Sequence, residues 1–76
     1  MADAATQIDL SGLAAPFDLL RARRAMGELR AGQQLEVVTA SKTAAKDFAA
    51  WCRVSGHTLV QSVSDEGRLR LVLRKG

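Results

Sequence analysis

The last strand-like stretch restricts the fold more than any other part of the chain. Arg68-Leu69-Arg70-Leu71-Val72-Leu73-Arg74 alternates, so Leu69, Leu71 and Leu73 fall on one face of a strand and the arginines on the other. A strand with one apolar face needs a second layer to cover it. Two other segments supply one. Leu19, Ala22, Met26 and Leu29 recur at spacings of three and four, as do Ala45, Phe48, Ala49 and Cys52. Each forms a single apolar stripe, so each is a helix with one side to bury.

Turn and breaker residues set the order of the elements. Gln7 to Leu10 alternates as a short half-buried strand, and Ser11-Gly12 breaks it. Pro16 suits the first turn of a helix, where its missing N–H is no loss. Gly32 is the expected end of that helix. Leu35 to Thr39 reads as a second strand, and Ser41 is the expected cap of a second helix, which ends before Gly56. His57 to Val63 is a third strand, joined to the last by a turn at Asp65-Glu66-Gly67. The sequence thus predicts β-α-β-α-β-β. This is an α/β (α+β) two-layer sandwich, with a four-stranded mixed sheet, two helices on one face and right-handed crossovers. Residues 7–76 are expected to form one domain and residues 1–6 a flexible lead-in.

Several classes of chemistry find no support in the residues. Cys52 is the sole cysteine and His57 the sole histidine, so neither an internal disulfide nor a set of metal ligands is expected. There is no phosphate loop and no nucleophile paired with a base, so neither a cofactor nor ordinary enzymatic catalysis is expected. Cys52 lies in an apolar stripe, where a lone thiol is usually packing material. His57 is expected simply to open the third strand. No apolar run is long enough to span a membrane and the N-terminus has no signal-peptide pattern, which suggests a cytoplasmic protein.

The junction between the first strand and first helix carries a resemblance. Gly12-Leu13-Ala14-Ala15-Pro16-Phe17-Asp18, followed much later by Trp51-Cys52-Arg53, Gly56-His57 and the ending Leu71 to Lys75, resembles the TusA/SirA-like family of small sulfur carriers. The likeness runs from about Ile8 to Lys75. It implies the same sandwich fold and a persulfide relay with protein partners, such as a sulfurtransferase or a thiolation enzyme. In that family the junction reads Cys-Pro-x-Pro, and the cysteine holds the sulfur. Here Ala15 takes the cysteine position, Pro16 matches the first proline and Asp18 replaces the second. Two origins fit Ala15: a cysteine replaced to trap an inactive form, or native divergence. Further departures at Asp18 and Ala40-Ser41-Lys42 favour divergence. The motif region is therefore Gly12, Ala15, Pro16 and Asp18, and no catalytic residue is present. A carboxylate at position 18 complements the helix dipole but would disfavour an anionic persulfide beside it.

Arginines mark the candidate docking residues. Arg21 and Arg24 lie on the polar side of the first helix, and Arg68, Arg70 and Arg74 on the outward face of the last strand. With a net charge of +3, these residues suit an acidic protein partner. Nucleic acid is the weaker alternative, because no aromatics interleave with the arginines to stack on bases. Val38 and Val60 are expected among the charges of the same sheet face, where they would equally suit a dimer contact.

Overall fold

A computed structural model describes residues 6–76. The strands are β1 (Thr6–Asp9), β2 (Gln34–Thr39), β3 (Thr58–Asp65) and β4 (Arg68–Arg74), and the helices are α1 (Phe17–Gly27) and α2 (Ala44–Ser55). The expected element order holds. The strands form one sheet in the order β1-β2-β4-β3, with β1 parallel to β2 and β4 antiparallel to both of its neighbours. Strand β1 begins at Thr6, inside the segment expected to be a lead-in, and the rest of that segment lies outside the described residues.

Register explains the two faces. Leu35 pairs with Leu73, Val37 with Leu71 and Thr39 with Leu69. Residues paired across a sheet point to the same side, so these six line the inner face. Leu35, Val37, Leu71 and Leu73 are fully buried there, under Ala22, Ala25 and Met26 of α1 and Ala44, Phe48 and Cys52 of α2. Phe48 is the largest of the fully buried side chains, and Trp51 meets it edge to face at 6.4 Å. The face opposite the helices holds Arg68, Arg70 and Arg74, all exposed, as the alternation of β4 implies.

Three local expectations need correction. Helix α1 stops at Gly27, where the Glu28 N–H donates to the Ala25 carbonyl and the Leu29 N–H to that of Met26. Gly32, five residues on, instead has φ +89° in the loop, where its N–H donates to the Lys75 carbonyl. Helix α2 starts after Thr43 rather than Ser41, and no side chain caps it. Ser41 is engaged elsewhere, its N–H donating to Thr39 Oγ1 at 3.0 Å and its hydroxyl meeting that of Thr43. Strand β3 runs from Thr58 to Asp65 and shifts register between Leu59 and Gln61. The bulge lets Leu59 face the core while Val63 pairs with Arg70 on the outer side.

Two turns follow their sequence signals. Gly56 ends α2 with φ 79°, and the His57 N–H reaches back to the Cys52 carbonyl, a Schellman closure. Glu66 and Gly67 both have positive φ between paired Asp65 and Arg68, the geometry of a type I′ hairpin. Among the described residues, no helix is long and apolar enough to cross a membrane.

With so small a core, one large side chain matters greatly. Phe48→Ala is expected to cost about 3–5 kcal/mol, a large part of the stability of a domain this short. Urea denaturation followed by far-UV circular dichroism would read the loss as a lower midpoint.

Candidate functional site

The motif region is a tight corner between β1 and α1. Asp9 ends the strand, and its Oδ1 accepts the Ser11 N–H at 2.9 Å and the Ser11 hydroxyl at 2.6 Å. The hydroxyl bond first and the N–H bond second hold the Asp9 carboxyl below the usual carboxylate range, and Arg68 adds a smaller pull. The Leu10 N–H still pairs with the Val38 carbonyl, and the Leu13 N–H folds back on the Leu10 carbonyl. The chain then passes Gly12, Ala14 and Ala15, all exposed, and enters α1 through a cis Ala15–Pro16 peptide. Pro16 stands at the capping position and makes no side-chain cap bond.

The opening turn of α1 satisfies its own donors. The Ala14 carbonyl accepts the N–H groups of Phe17 and Asp18, and the Pro16 carbonyl accepts that of Leu20. Leu19 N–H donates to Asp18 Oδ1 at 2.7 Å. Position 15 therefore feels the positive end of the helix dipole, while the four N–H groups that follow Pro16 are already engaged.

Asp18 is only 2% exposed. Its Oδ2 accepts the Thr39 hydroxyl at 3.0 Å, and Thr39 Oγ1 in turn accepts the Ser41 N–H. One buried carboxylate thus ties the start of α1 to the end of β2 and to the loop entering α2. It is an internal brace, a role the dipole argument alone did not anticipate. The signal was present in the spacing, because Asp18, Ala22 and Met26 follow one another at intervals of four on the buried stripe.

Around the corner the surface is apolar. Phe17 is 61% exposed and Leu20 50%, one helical turn apart, and Leu13 is exposed just before them. Leu13 to Phe17 are thus exposed apolar residues in succession, and Leu20 follows one helical turn after Phe17. Sequence reasoning missed this patch. Leu20 lies off the buried stripe of α1, which is the feature that could have revealed it. The predicted docking arginines divide into two groups. Arg21 and Arg24 are exposed on α1, whereas Arg68, Arg70 and Arg74 are exposed on the sheet face opposite the helices.

A family model described as sulfurtransferase TusA matches residues 6–75. The chain belongs to the TusA family. It is 32% identical to the sulfur carrier protein TusA of Allochromatium vinosum over 99% of both chains. It is 38% identical to YrkI of Bacillus subtilis over 91% of this chain and 92% of that one. A crystal structure of a SirA-like protein from Desulfitobacterium hafniense superposes with a TM-score of 0.81, at 22% identity, over 93% of this chain and 97% of the other. That likeness bears on the fold, and it matches the four-stranded mixed sheet with two helices on one face.

Ala15, the position at which the resemblance sets the family's cysteine, is exposed at the head of α1. A methyl group occupies the exposed position at the head of α1, and it can neither accept nor release sulfur. Cys52 lies elsewhere, on α2. The thiol is buried on α2 in contact with the core, and burial pushes its pKa up, away from the nucleophilic thiolate. His57 stacks edge to face with Trp51 at 5.2 Å and accepts the Gly76 N–H on Nδ1, a packing role at the entrance to β3. Among the described residues, no group of three or more His, Cys, Asp or Glu could hold a metal ion.

Two outcomes are expected. Asp18→Ala leaves the Thr39 hydroxyl without its acceptor and should cost about 1–3 kcal/mol, whereas the paired change Asp18→Ala with Thr39→Val should cost less than the sum of the single changes. A double-mutant cycle of urea midpoints measures the coupling. Cys52 should resist iodoacetamide in the folded chain at neutral pH and react once the chain is unfolded. Because its folded pKa lies above its unfolded one, its contribution to stability is complete below the ordinary thiol range. That contribution falls as the pH rises through it, so the melting temperature should decline at alkaline pH by less in Cys52→Ala.

Proposed function

We propose that this chain is a TusA-family docking module that lacks sulfur-carrying capacity of its own. The observation that carries the reading is Ala15, exposed at the head of α1 on a scaffold otherwise organised as a carrier. A carrier works by forming one S–S bond and later breaking it. The thiolate at the helix head attacks the terminal sulfur of a persulfide or polysulfide. It takes up one sulfur atom and leaves the donor one sulfur shorter. The resulting persulfide then yields that sulfur to an acceptor thiolate. Without sulfur at position 15, neither half of the cycle occurs.

The remaining surface still suits protein recognition. Leu13, Phe17 and Leu20 are exposed apolar side chains near the position where a partner's cysteine would have to approach. Exposed apolar clusters on a small soluble domain commonly mark a protein contact. Arg21 and Arg24 flank that area on the same helix and favour an acidic rim on the partner. The class of partner that fits is a protein of a sulfur relay, either a donor sulfurtransferase or a thiolation enzyme. By occupying that partner, the chain would hold back an active carrier.

The alternative, a basic module for nucleic acid, is weakened by the composition of the sheet face. Register sets Asp9 and Glu36 on the same face as the arginines of β4, and Asp65 directly beside Arg68. Carboxylates in that position repel phosphate.

Intact-mass analysis after polysulfide treatment separates the possibilities. The chain itself should gain no sulfur, and Ala15→Cys should gain sulfur at position 15 that a reductant removes. The chain should also compete with an active family member for its sulfur donor, and Phe17→Glu should reduce that competition about tenfold or more. An Ala15→Cys variant that stays unloaded would show that the corner has left sulfur chemistry. Absence of competition at high molar excess would dispose of the docking role.

A further inference from the structure

The sheet has two unlike edges. Strand β1 closes one with four residues. Strand β3 closes the other with eight, and all of them except Leu59 are exposed. An edge of that length is usually protected by lysine, proline or a covering element. From Thr58 to Ser64 this strand carries no charge and no proline, and Val60 and Val63 are exposed. The bulge between Leu59 and Gln61 interrupts its first half. Gln61 to Asp65 pairs with β4 residue for residue and is the regular part.

The hairpin decides which backbone groups face outward. Asp65 and Arg68 enclose a two-residue turn, so they form a hydrogen-bonded pair. Bonded and non-bonded pairs then alternate along the ladder. Val63 and Arg70 are bonded, whereas Ser64 opposite Leu69 and Ser62 opposite Leu71 are not. The N–H and C=O groups of Ser62 and Ser64 therefore point away from β4, toward the open edge. On β4 the same alternation turns the odd-numbered residues toward β2, and it continues into Lys75, whose N–H donates to the Gln33 carbonyl.

We propose that β3 pairs with β3 of a second copy, antiparallel, about a twofold axis that passes through Val63 perpendicular to the sheet. The outward groups select this register. Ser62 of each copy lies opposite Ser64 of the other, and the two pairs exchange four backbone hydrogen bonds. Val63 meets its symmetry mate in a non-bonded pair, where side chains come closest. Gln61 falls opposite Asp65, which sets an amide donor beside a carboxylate on the same side of the sheet. No like charges face each other at any of these positions, so the segment is complementary to itself. The Ser62 and Ser64 side chains lie on the helix side and are exposed, so the helical layer does not obstruct the approach. The product is an eight-stranded sheet with all four helices on one face. Both Ala15 corners stay open, because each follows β1 at the far edge. A pair of short strands buries less than the roughly 800 Å² per partner of a standard interface, so the dimer is weak and reversible.

Sedimentation equilibrium over micromolar to millimolar concentration tests the proposal. The expected result is a monomer–dimer equilibrium that added salt changes little, since backbone bonds and a valine pair make the contact. Ser64→Pro removes an outward N–H that the monomer does not use. It should abolish the dimer and leave the far-UV circular dichroism unchanged. Val63→Lys sets two cations against each other and should weaken association about tenfold or more. Val63→Cys should cross-link to its symmetry mate under oxidised glutathione, because the Cα atoms of a non-bonded pair lie about 4.5 Å apart, within disulfide reach. Gln61→Cys should not, because residue 61 of each copy faces residue 65 of the other. Cys52 is buried, so any link reports the introduced position. A chain that stays monomeric to millimolar concentration overturns the proposal and leaves the edge to a strand of another protein. A folded Ser64→Pro that still dimerises overturns it as well, as does cross-linking through position 61 as readily as through 63. Should Ser64→Pro fail to fold, undiminished association of Val63→Lys overturns it instead.

Discussion

Burial of β4 against the two helices is the interaction on which the rest of the structure rests. This strand pairs with β2 on one side and β3 on the other, so two of the three strand contacts run through it. Leu71 and Leu73 are fully buried, and above them lie the Phe48 and Met26 side chains. Together with Leu35 and Val37, these residues supply most of the large apolar surface removed from water, at about 25 cal/mol per Å². Everything of functional interest is arranged around that block. The Ala15 corner hangs from one end of the helical layer, and the arginine face is its outward side.

How far the sequence could be read depended on the kind of signal. The alternation of β4 and the stripes of the two helices report burial directly, and they led to the correct layers, strand character and chain order. Gly56 and the Glu66-Gly67 turn were legible because their positive φ demands glycine or a tolerant neighbour. Helix ends were less so. Gly32 looked like the end of α1, but Glu28 closes the helix first and the glycine serves the loop that meets Lys75. Ser41 looked like a cap, but its hydrogen bonds are committed to Thr39 and Thr43. Competing local partners of that kind are tertiary facts, which propensity does not encode.

The site was legible in a similarly uneven way. The position of Ala15 at the head of a helix followed from the glycine, the proline and the family likeness. The burial of Asp18 did not follow from its charge, which points to solvent by default. Its place in the stripe outweighed its polarity, because Thr39 and the Leu19 N–H supply the hydrogen bonds that make burial tolerable. Had the residue been a second proline, as in the family pattern, this link between α1 and β2 would have had no side chain to make it.

Strand β1 gives the arrangement a mechanical consequence. It has four residues, lies at the edge of the sheet and is joined to β2 alone. The corner that follows it is anchored on one side by this lightly held strand and on the other by the Asp18 brace. Such segments open by local excursions far less costly than global unfolding. On the docking role proposed above, recognition falls to this lightly held corner while the β2-β4-β3 block keeps its register, so the two duties sit in separate parts of one small domain.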